Sequence, residues 1–496
     1  MQSRNFLFSP LVLIALFILA AMQPVAGQKT RPLQKAVEDF SANPFMENAA
    51  WGFMVMDVQS GKEILSVSPN LSLIPASAQK AMTTLTSLAL LGTDYRFETL
   101  IQYDGHIENG ILHGNLYITG TGDPTLGATQ LHDSLELKNT FSTWLSDIRS
   151  SGITAVKGNI IADGSYFDKH MIPPKWMWED IGNYYGAGAH ALTVHENMYT
   201  VFFEPATREG APARVNSTSP TVPEMDFIND VSTGPRGSGD RVYIYGVPGQ
   251  DTRWLTGTVP LGQSNFAVRG SLPDPGKYLA RVFAEFLKNE QITVEGHALT
   301  HQTAQNITPA ENRVILSRWL SPTLADITQR TNMASVNTYA ENLIKTLGQK
   351  FKGEGSYSKG AEVITEFWEE RGINVTGLRV HDGSGLSPFN NITVSQLTQM
   401  MVFAANDDAL YPALTKGFPI AGESGTLARM FLNSPSRGVL TAKSGFLGNV
   451  RAYTGYTQSR KGKLLAFTLI VNNYPVTGLE LRNRMEVLMD AIGRIE

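Results

Sequence analysis

Cysteine is absent from the whole 496-residue sequence. Disulfide bonds, zinc sites built on thiolates and cysteine nucleophiles are therefore excluded. A basic excess is also lacking, because 45 acidic and 41 basic side chains leave a formal net charge of −4. This charge does not favour nucleic acid as a partner. The length and the 42% hydrophobic content suit a large protein of several domains.

Long apolar runs are missing except near the N-terminus. Arg4 precedes a mainly apolar run from Phe6 to Met22, and the small residues Ala26 and Gly27 follow it. This order is typical of a secretory signal peptide, so we expect residues 1–27 to be removed during export to the periplasm. The alternative is an uncleaved membrane anchor, although the run is near the lower length limit for spanning a bilayer.

The rest of the chain divides into segments with different secondary-structure patterns. Residues 28–95 and 306–496 combine strand-like and helical patterns, whereas Gly and Pro interrupt many short strand-like runs in residues 96–305. We predict that the outer segments form one domain, into which residues 96–305 are inserted as one or two β-rich subdomains. Within this insertion, residues 217–240 are rich in Pro, Gly and Ser and are predicted to be an exposed loop.

The outer segments predict an antiparallel sheet. Apolar residues at 51–58, a Gln-Ser-Gly-Lys turn and a second run at 63–66 indicate a hairpin. Three further strand patterns follow near the C-terminus, at residues 439–443, 450–457 and 464–472. Together these patterns predict an α+β fold with a five-stranded antiparallel sheet flanked by helices.

The stretch from Pro75 to Gly92 combines a helix start with a reactive pair. Pro75 and the small residues after it suit a first helical turn, and apolar residues then recur at helical spacing. Ser77 and Lys80 lie three residues apart and so share one face of this helix. A serine becomes a nucleophile when a base takes its proton, and a lysine in a dry site can serve as that base. Ser77-x-x-Lys80 therefore predicts an acyl-transfer pair, although the spacing also occurs by chance.

Two later motifs supply groups that such a reaction needs. Ser335-Val336-Asn337 lies between two helical patterns and offers a hydroxyl and a carboxamide; the alternative is that both side chains cap a helix starting at Thr338. Lys443-Ser444-Gly445 ends a strand pattern, and its cation and hydroxyl suit a substrate carboxylate. Gly445 would let a substrate backbone approach the strand edge. The alternative for Lys443 is a strand-end lysine in water.

The three motifs, in the order Ser-x-x-Lys, Ser-x-Asn and Lys-Ser-Gly, form the signature of serine penicillin-recognising enzymes. The long β-rich stretch between the first two resembles that of the type-4 (class C) low-molecular-mass penicillin-binding proteins, the D-Ala-D-Ala carboxypeptidase/endopeptidase family. The resemblance covers nearly all of the chain after the signal peptide. Three other segments are also similar to that family: Gly122-Asp123-Pro124, residues 382–387 and Gly425-Thr426-Leu427.

The resemblance implies a serine transpeptidase/β-lactamase-like domain that cleaves peptidoglycan stem peptides through an acyl-enzyme and is inhibited by penicillin. It implies that Ser77 is acylated, that Lys80 is the base and that Ser335 relays the proton to the leaving group. Peptidoglycan peptides and β-lactam inhibitors are the expected partners. Neither a metal nor another cofactor is expected.

The resemblance also implies which residues bind the substrate. The amide of the substrate would meet Asn337, and its terminal carboxylate would meet Lys443 and Ser444. The implied oxyanion hole consists of the backbone N–H groups of Ser77 and Phe446. The residues implied in binding are Asn337, Lys443, Ser444, Gly445 and Phe446.

Two departures from the family pattern affect substrate preference. Family members usually have Lys-Thr-Gly followed by a hydroxyl residue, whereas this chain has Lys-Ser-Gly followed by Phe446. The family often has a basic residue after Gly-Leu-Ser, where this chain has Pro388. Both changes leave open the balance between carboxypeptidase and endopeptidase activity.

Two other functions fit the same motifs. A β-lactamase or an esterase would use this scaffold and release the penicilloyl group quickly. A wall-binding protein without catalysis would keep only the fold, and the intact Ser77, Lys80, Ser335 and Lys443 argue against it. The sequence leaves open the oligomeric state and a peripheral association with the membrane or the wall.

Other clusters of polar residues have simpler interpretations. His381, Asp382 and Ser384 suggest a Ser-His-Asp triad, but adjacent residues cannot build that geometry alone, so we expect a tight loop. Asp163 and Asp168 are expected to be exposed loop carboxylates, the alternative being that they bind a cationic peptide stem. The histidines at 190 and 195, with the glutamate at 196, lack the spacing of a zinc site.

Overall fold

The protein is described by a computed structural model that covers residues 30–222 and 224–496. The signal peptide predicted for residues 1–27 lies outside the described residues. Over the described ranges, no helix combines the length and the apolar content needed to cross a membrane. The chain forms two compact units. The first contains residues 30–82, Trp368–Arg379 and Phe389–Glu496, and the second contains Thr83–Phe367 and Val380–Pro388.

Helices and strands occur along the whole of the described chain. The α-helices of the described residues are α1 (Arg31–Ser41), α2 (Gln79–Leu91), α3 (Leu137–Ser150), α4 (Trp178–Ile181), α5 (Pro275–Asn289), α6 (Leu324–Met333), α7 (Asn337–Lys352), α8 (Tyr357–Glu369), α9 (Val394–Ala405), α10 (Leu410–Lys416) and α11 (Gly478–Ile492). The strands are β1 (Ala50–Asp57), β2 (Glu63–Val67), β3 (Glu98–Tyr103), β4 (His106–Glu108), β5 (Ile111–His113), β6 (Leu116–Gly120), β7 (Asp123–Leu126), β8 (Ala155–Val156), β9 (Ile160–Asp163), β10 (Leu192–Val194), β11 (Met198–Glu204), β12 (Arg214–Ser219), β13 (Asp226–Gly234), β14 (Arg241–Tyr245), β15 (Thr252–Pro260), β16 (Phe266–Ser271), β17 (Thr293–Val294), β18 (Ala298–Thr300), β19 (Val314–Leu320), β20 (Thr441–Leu447), β21 (Val450–Gln458) and β22 (Leu464–Asn472).

The first unit is built on a five-stranded antiparallel sheet with the order β2-β1-β22-β21-β20. Strand β22 is central, because β1 and β21 pair along its two edges. Apolar side chains of this sheet pack with those of α1 and α11 in one buried core. The predicted sheet is therefore confirmed, and helices α1 and α11 pack on it as the α+β prediction requires.

The second unit contains several smaller sheets. Their strand orders are β18-β9-β6-β3-β19, β17-β8-β5-β4, β12-β11-β16, β13-β15-β14 and β10-β7. Helices α3 and α5 bury Phe141, Trp144 and Phe283 in a core shared with these strands, and the Trp144 and Phe283 rings meet edge to face. The many short strands of this unit agree with the β-rich pattern predicted for residues 96–305. The boundaries of the inserted region remain a prediction.

The prediction of an exposed loop at residues 217–240 is wrong. Half of this segment belongs to β12 and β13. Strand β13 pairs in parallel with β15, from Asp226 opposite Thr252 to Gly234 opposite Pro260. Val231 is buried in the core of the second unit. Pro and Gly residues lie at the ends of these strands. Composition alone therefore suggested a loop and gave no sign that the segment pairs with a distant strand.

Candidate active site

Ser77 lies in a 3₁₀ turn, Ala76–Ala78, that leads directly into α2. Ala76 is fully buried and has a φ of 45°, in the left-handed region that residues with a Cβ rarely adopt. Such a conformation persists only where the surrounding structure imposes it, and it is frequent at functional sites. The turn that carries Ser77 therefore has a strained backbone conformation, which the surrounding residues maintain.

Lys80 is the direct partner of this serine. Its Nζ donates a hydrogen bond to Oγ of Ser77 across 2.9 Å, and the lysine side chain is fully buried. The helical turn between residues 77 and 80 puts both groups on one face, as predicted from their spacing. Burial disfavours an ammonium relative to an amine, and an amine at this distance can accept the serine proton.

Lys443 lies on β20 of the same unit and is also fully buried. Its Nζ donates a hydrogen bond of 2.7 Å to the carbonyl oxygen of Ser444. Burial, and after it the positive charge of Lys80, hold the pKa of Lys443 well below its usual range. The alternative of a strand-end lysine in water is therefore wrong. The first unit instead holds two interacting buried amines.

Ser444 connects β20 to another predicted segment. Its Oγ donates a hydrogen bond of 2.6 Å to Oγ1 of Thr426, which belongs to the 3₁₀ turn Gly425–Leu427. Ser444 is half-buried. Beside the amine of Lys443, this pair of hydroxyls offers the donors that a carboxylate needs.

Gly445 brings β20 against the Ser77 turn. A Cβ at this position would lie 2.5 Å from the Pro75 carbonyl oxygen and 3.0 Å from the Ser77 backbone nitrogen. Both neighbours are backbone atoms and cannot rotate away. We predicted that this glycine admits a substrate backbone, whereas the close approach in the structure is between β20 and the turn that carries the nucleophile.

Phe446 and Arg451 form a pair that the sequence motifs did not indicate. The two residues are directly opposite in the β20–β21 register. The Phe446 side chain is 61% exposed, and the Arg451 guanidinium lies 4.9 Å from its ring centroid. The cross-strand register, rather than a local motif, is the signal that could have identified Arg451 as a cation beside residue 446.

Ser335 and Asn337 lie in the second unit, in the break between α6 and α7. Ser335 has a φ of 56°, again in the left-handed region. Helix α7 has Val336 at its N-cap without a side-chain capping bond, and Asn337 Nδ2 instead donates to the Tyr185 carbonyl oxygen across 2.7 Å. Neither Ser335 nor Asn337 therefore occupies the N-cap position of α7.

The part of α2 that belongs to the second unit holds two neighbouring segments. Asn332 Nδ2, near the end of α6, donates to Oγ1 of Thr84 across 2.9 Å. Oγ1 of Thr83 donates to the Gly383 carbonyl oxygen across 2.7 Å. Within the second unit, these bonds tie α6 and the loop that contains Gly383 to residues 83 and 84 of α2.

That loop, residues 382–387, is held by two buried carboxylates. Glu341 accepts hydrogen bonds from the backbone N–H groups of Gly383 and Ser384, both at 2.9 Å. Asp382 accepts a bond of 2.8 Å from Nε1 of Trp176 and further bonds from the loop backbone. Ser384 is fully buried. The tight loop that we expected is present, and Asp382 acts within it rather than as a triad carboxylate.

The expectation of exposed loop carboxylates at 163 and 168 is wrong. Asp163 lies 2.7 Å from the guanidinium of Arg313, and the two side chains are 3% and 2% exposed. Asp168 lies 2.7 Å from Nζ of the fully buried Lys345. Burial alone would raise the pKa of Asp163, but hydrogen bonds from Ser165 and Arg313 hold it below its usual value. The cationic partners are distant in sequence, so no local pattern could reveal these pairs.

Known proteins resemble this chain over most of its length. The sequence model described as the D-Ala-D-Ala carboxypeptidase 3 (S13) family matches residues 33–492. A D-alanyl-D-alanine carboxypeptidase from Actinomadura sp. strain R39 is 28% identical over 466 residues, which are 92% of this chain and 83% of the relative. The crystal structure of penicillin binding protein 4 from Haemophilus influenzae has a TM-score of 0.77 at 23% identity, covering 92% of this chain and 97% of that one. A complex of the same protein with a β-lactam has a TM-score of 0.72 at 21% identity, with the same coverage.

The Gly445→Ala substitution tests the close packing of β20 on the Ser77 turn. The added methyl group would collide with backbone atoms, so we expect the free energy of unfolding to fall by about 1–3 kcal/mol. Urea unfolding of the wild type and the variant measures this difference. The matched control is Gly493→Ala, because a Cβ there would meet its nearest neighbour at 3.5 Å, an ordinary contact. Equal stability of the two variants would contradict the packing argument.

Proposed function

This chain belongs to the D-Ala-D-Ala carboxypeptidase 3 (S13) family, and we propose that its serine-type D-Ala-D-Ala carboxypeptidase reaction starts at Ser77. The observation that carries this proposal is the 2.9 Å hydrogen bond from Nζ of the buried Lys80 to Oγ of Ser77. In the proposed first step, neutral Lys80 takes the hydroxyl proton while Oγ attacks the carbonyl carbon between the two D-alanines. The product of this attack is a tetrahedral oxyanion bound to Ser77.

We propose that the backbone N–H groups of Ser77 and Phe446 stabilise this oxyanion. The close approach of Gly445 to the Ser77 nitrogen supports the assignment, because it brings the next N–H on β20 near the same turn. Backbone donors that are fixed before the reaction stabilise a developing charge without reorganising. The strained backbone at Ala76 is consistent with a turn held for this purpose.

We propose that Ser335 passes the proton to the nitrogen of the leaving D-alanine. The C–N bond then breaks, D-alanine departs as a neutral amine, and the rest of the peptide stays on Ser77 as an ester. Water later attacks the ester, and the serine recovers its proton. The left-handed φ of Ser335 and its position outside the N-cap of α7 support this role.

We propose that the substrate is held by Asn337 of the Ser-x-Asn motif and by the Lys-Ser-Gly motif of β20. We propose that Asn337 binds the substrate amide, with its own carboxamide oriented by the bond to the Tyr185 carbonyl. Lys443, Ser444 and Gly445 would receive the C-terminal residue along the edge of β20. The Ser444–Thr426 hydroxyl pair supports a carboxylate site, and an arriving carboxylate would favour the protonated form of buried Lys443.

The natural substrate that we propose is the peptidoglycan stem peptide. Cleavage of a D-amino-acid cross-link would use the same acyl-enzyme and differ only in the leaving amine, so we propose endopeptidase activity beside carboxypeptidase activity. The apolar, exposed Phe446 in place of a hydroxyl residue favours a leaving group that is not held by a donor at that position. β-Lactams, which mimic the D-alanyl peptide, would acylate Ser77 and inhibit the enzyme.

The proposed location follows from the substrate and from the N-terminal sequence. Peptidoglycan lies outside the cytoplasmic membrane, and the pattern of residues 1–27 is that of an export signal. We therefore propose a periplasmic enzyme whose signal peptide is removed. We also propose that residues 96–305 are inserted subdomains between two parts of the catalytic domain, residues 28–95 and 306–496.

The Ser77→Ala substitution tests the nucleophile. Removal of one oxygen should leave the fold intact and abolish both the covalent penicilloyl adduct and the release of D-alanine. Mass spectrometry of the protein, and of products from purified peptidoglycan fragments, measures the two effects. The control is Ser142→Ala, on the exposed face of α3, which should react like the wild type.

Three outcomes of this experiment separate the candidate functions. A penicilloyl adduct on the Ser77→Ala protein would contradict the proposal. Wild-type protein that releases the penicilloyl group within seconds would favour a β-lactamase. Loss of D-alanine and opening of cross-links by the wild type would support carboxypeptidase and endopeptidase activity respectively.

The depressed pKa of Lys443 predicts how pH affects substrate binding. Free enzyme loses the Lys443 proton as pH rises through the lowered pKa, so the attraction for a substrate carboxylate is present at low pH and lost at high pH. The kcat/KM of an acyl-D-Ala-D-Ala peptide, divided by that of its C-terminal amide, should therefore be highest at low pH and should fall, as pH rises, at pH values below the usual lysine pKa of about 10.4.

This ratio cancels the effect of pH on Lys80 and Ser77, because both substrates need the same acylation chemistry. A Lys443→Gln variant should give a ratio near one across the whole range. A wild-type ratio that stays constant with pH would show that Lys443 does not bind the carboxylate.

A further inference from the structure

A short hairpin in the second unit carries a cluster of potential metal ligands. Strands β4 and β5 are joined by two residues and form one edge of the sheet β17-β8-β5-β4. His106 is directly opposite His113 in this hairpin. Glu108 follows His106 by two residues and so projects from the same face of β4.

The three side chains lie close enough to share one ion. The imidazole rings of His106 and His113 stack with centroids 5.0 Å apart and an interplanar angle of 7°. A nitrogen of each ring and a carboxylate oxygen of Glu108 all lie within 4.8 Å of one another. Two imidazoles and one carboxylate form a ligand set that Zn²⁺ uses in proteins, with water in the remaining positions.

The backbone under this cluster is fixed. Asn109 and Gly110 have φ values of 50° and 80°, as a two-residue turn of the type favoured in hairpins requires. On the opposite face of the hairpin, Leu112 is fully buried and Ile107 packs on the core. These contacts set which face points outward, so the three ligands need little backbone rearrangement to meet an ion.

The ligand atoms are also available. Among the residues that the structure describes, none makes a side-chain hydrogen bond or an ion pair with His106, Glu108 or His113. The side chains of His106 and Glu108 are exposed, and that of His113 is half-buried. An ion could therefore replace water at these groups without breaking a protein interaction.

We propose that His106, Glu108 and His113 bind one first-row divalent metal ion, with Zn²⁺ as the ion of choice. Borderline cations of this class prefer imidazole nitrogen, whereas Mg²⁺ prefers an all-oxygen environment. The sequence did not indicate this site because its ligands come from two strands and follow no helical spacing. The proposal concerns the hairpin alone and does not depend on the reaction at Ser77.

Calorimetric titration of the full-length protein, prepared without a histidine tag, tests the proposal. ZnCl₂ should bind at one saturable site that MgCl₂ does not occupy. His106→Ala and His113→Ala should each weaken Zn²⁺ binding by at least about tenfold, since loss of even an outer-shell partner costs that much. His297→Ala is the matched control, because His297 is an exposed histidine outside the cluster and its removal should leave the affinity unchanged.

A second readout separates loss of a ligand from loss of the fold. Glu108→Gln removes only the charged oxygen and should also weaken Zn²⁺, while covalent labelling by penicillin continues as in the wild type. Co²⁺ bound at the site should give a visible absorption band that disappears in His113→Ala. Zn²⁺ binding that persists in the His106→Ala/His113→Ala double variant, or no saturable binding by the wild type, would overturn the proposal.

Discussion

The hydrogen bond between Lys80 Nζ and Ser77 Oγ is the interaction on which the rest of the first unit depends. Lys80 is fully buried, and a buried ammonium is costly unless it is paired or neutralised. A second buried amine, Lys443, has its pKa lowered first by burial and then by the positive charge of Lys80. The first unit therefore holds an electrostatic arrangement that an incoming carboxylate can relieve.

The backbone around this pair is arranged to keep β20 close to the nucleophile. Ala76 adopts a left-handed φ, and Gly445 has no room for a Cβ beside the same turn. In the second unit, the carboxylates of Glu341 and Asp382 instead satisfy the N–H groups of a tight loop. The two units thus use different means, steric contact and buried hydrogen bonds, to fix the segments that carry the motifs.

Sequence reasoning succeeded where the determining interactions are local. The five strands of the first sheet and the helix after Ser77 follow from short apolar runs, turn residues and helical spacing, which neighbouring residues set. Sequence reasoning failed where a residue distant in sequence determines the burial of a side chain or the secondary structure of a segment. Asp163 and Asp168 form ion pairs with Arg313 and Lys345, which are distant in sequence. A segment with the composition of a loop forms a strand because it pairs with β15. The role of Gly445 likewise required knowing which backbone lies opposite β20.

The rate of acylation by benzylpenicillin in a Lys80→Met variant tests the central claim most directly. Methionine keeps the length and burial of the side chain and removes only the amine, while Ser77 remains in place. If Lys80 is the base, rapid-mixing kinetics should show an acylation rate lower by about 10²–10⁴-fold, with urea unfolding still cooperative. A folded variant that acylates at nearly the wild-type rate would contradict the account.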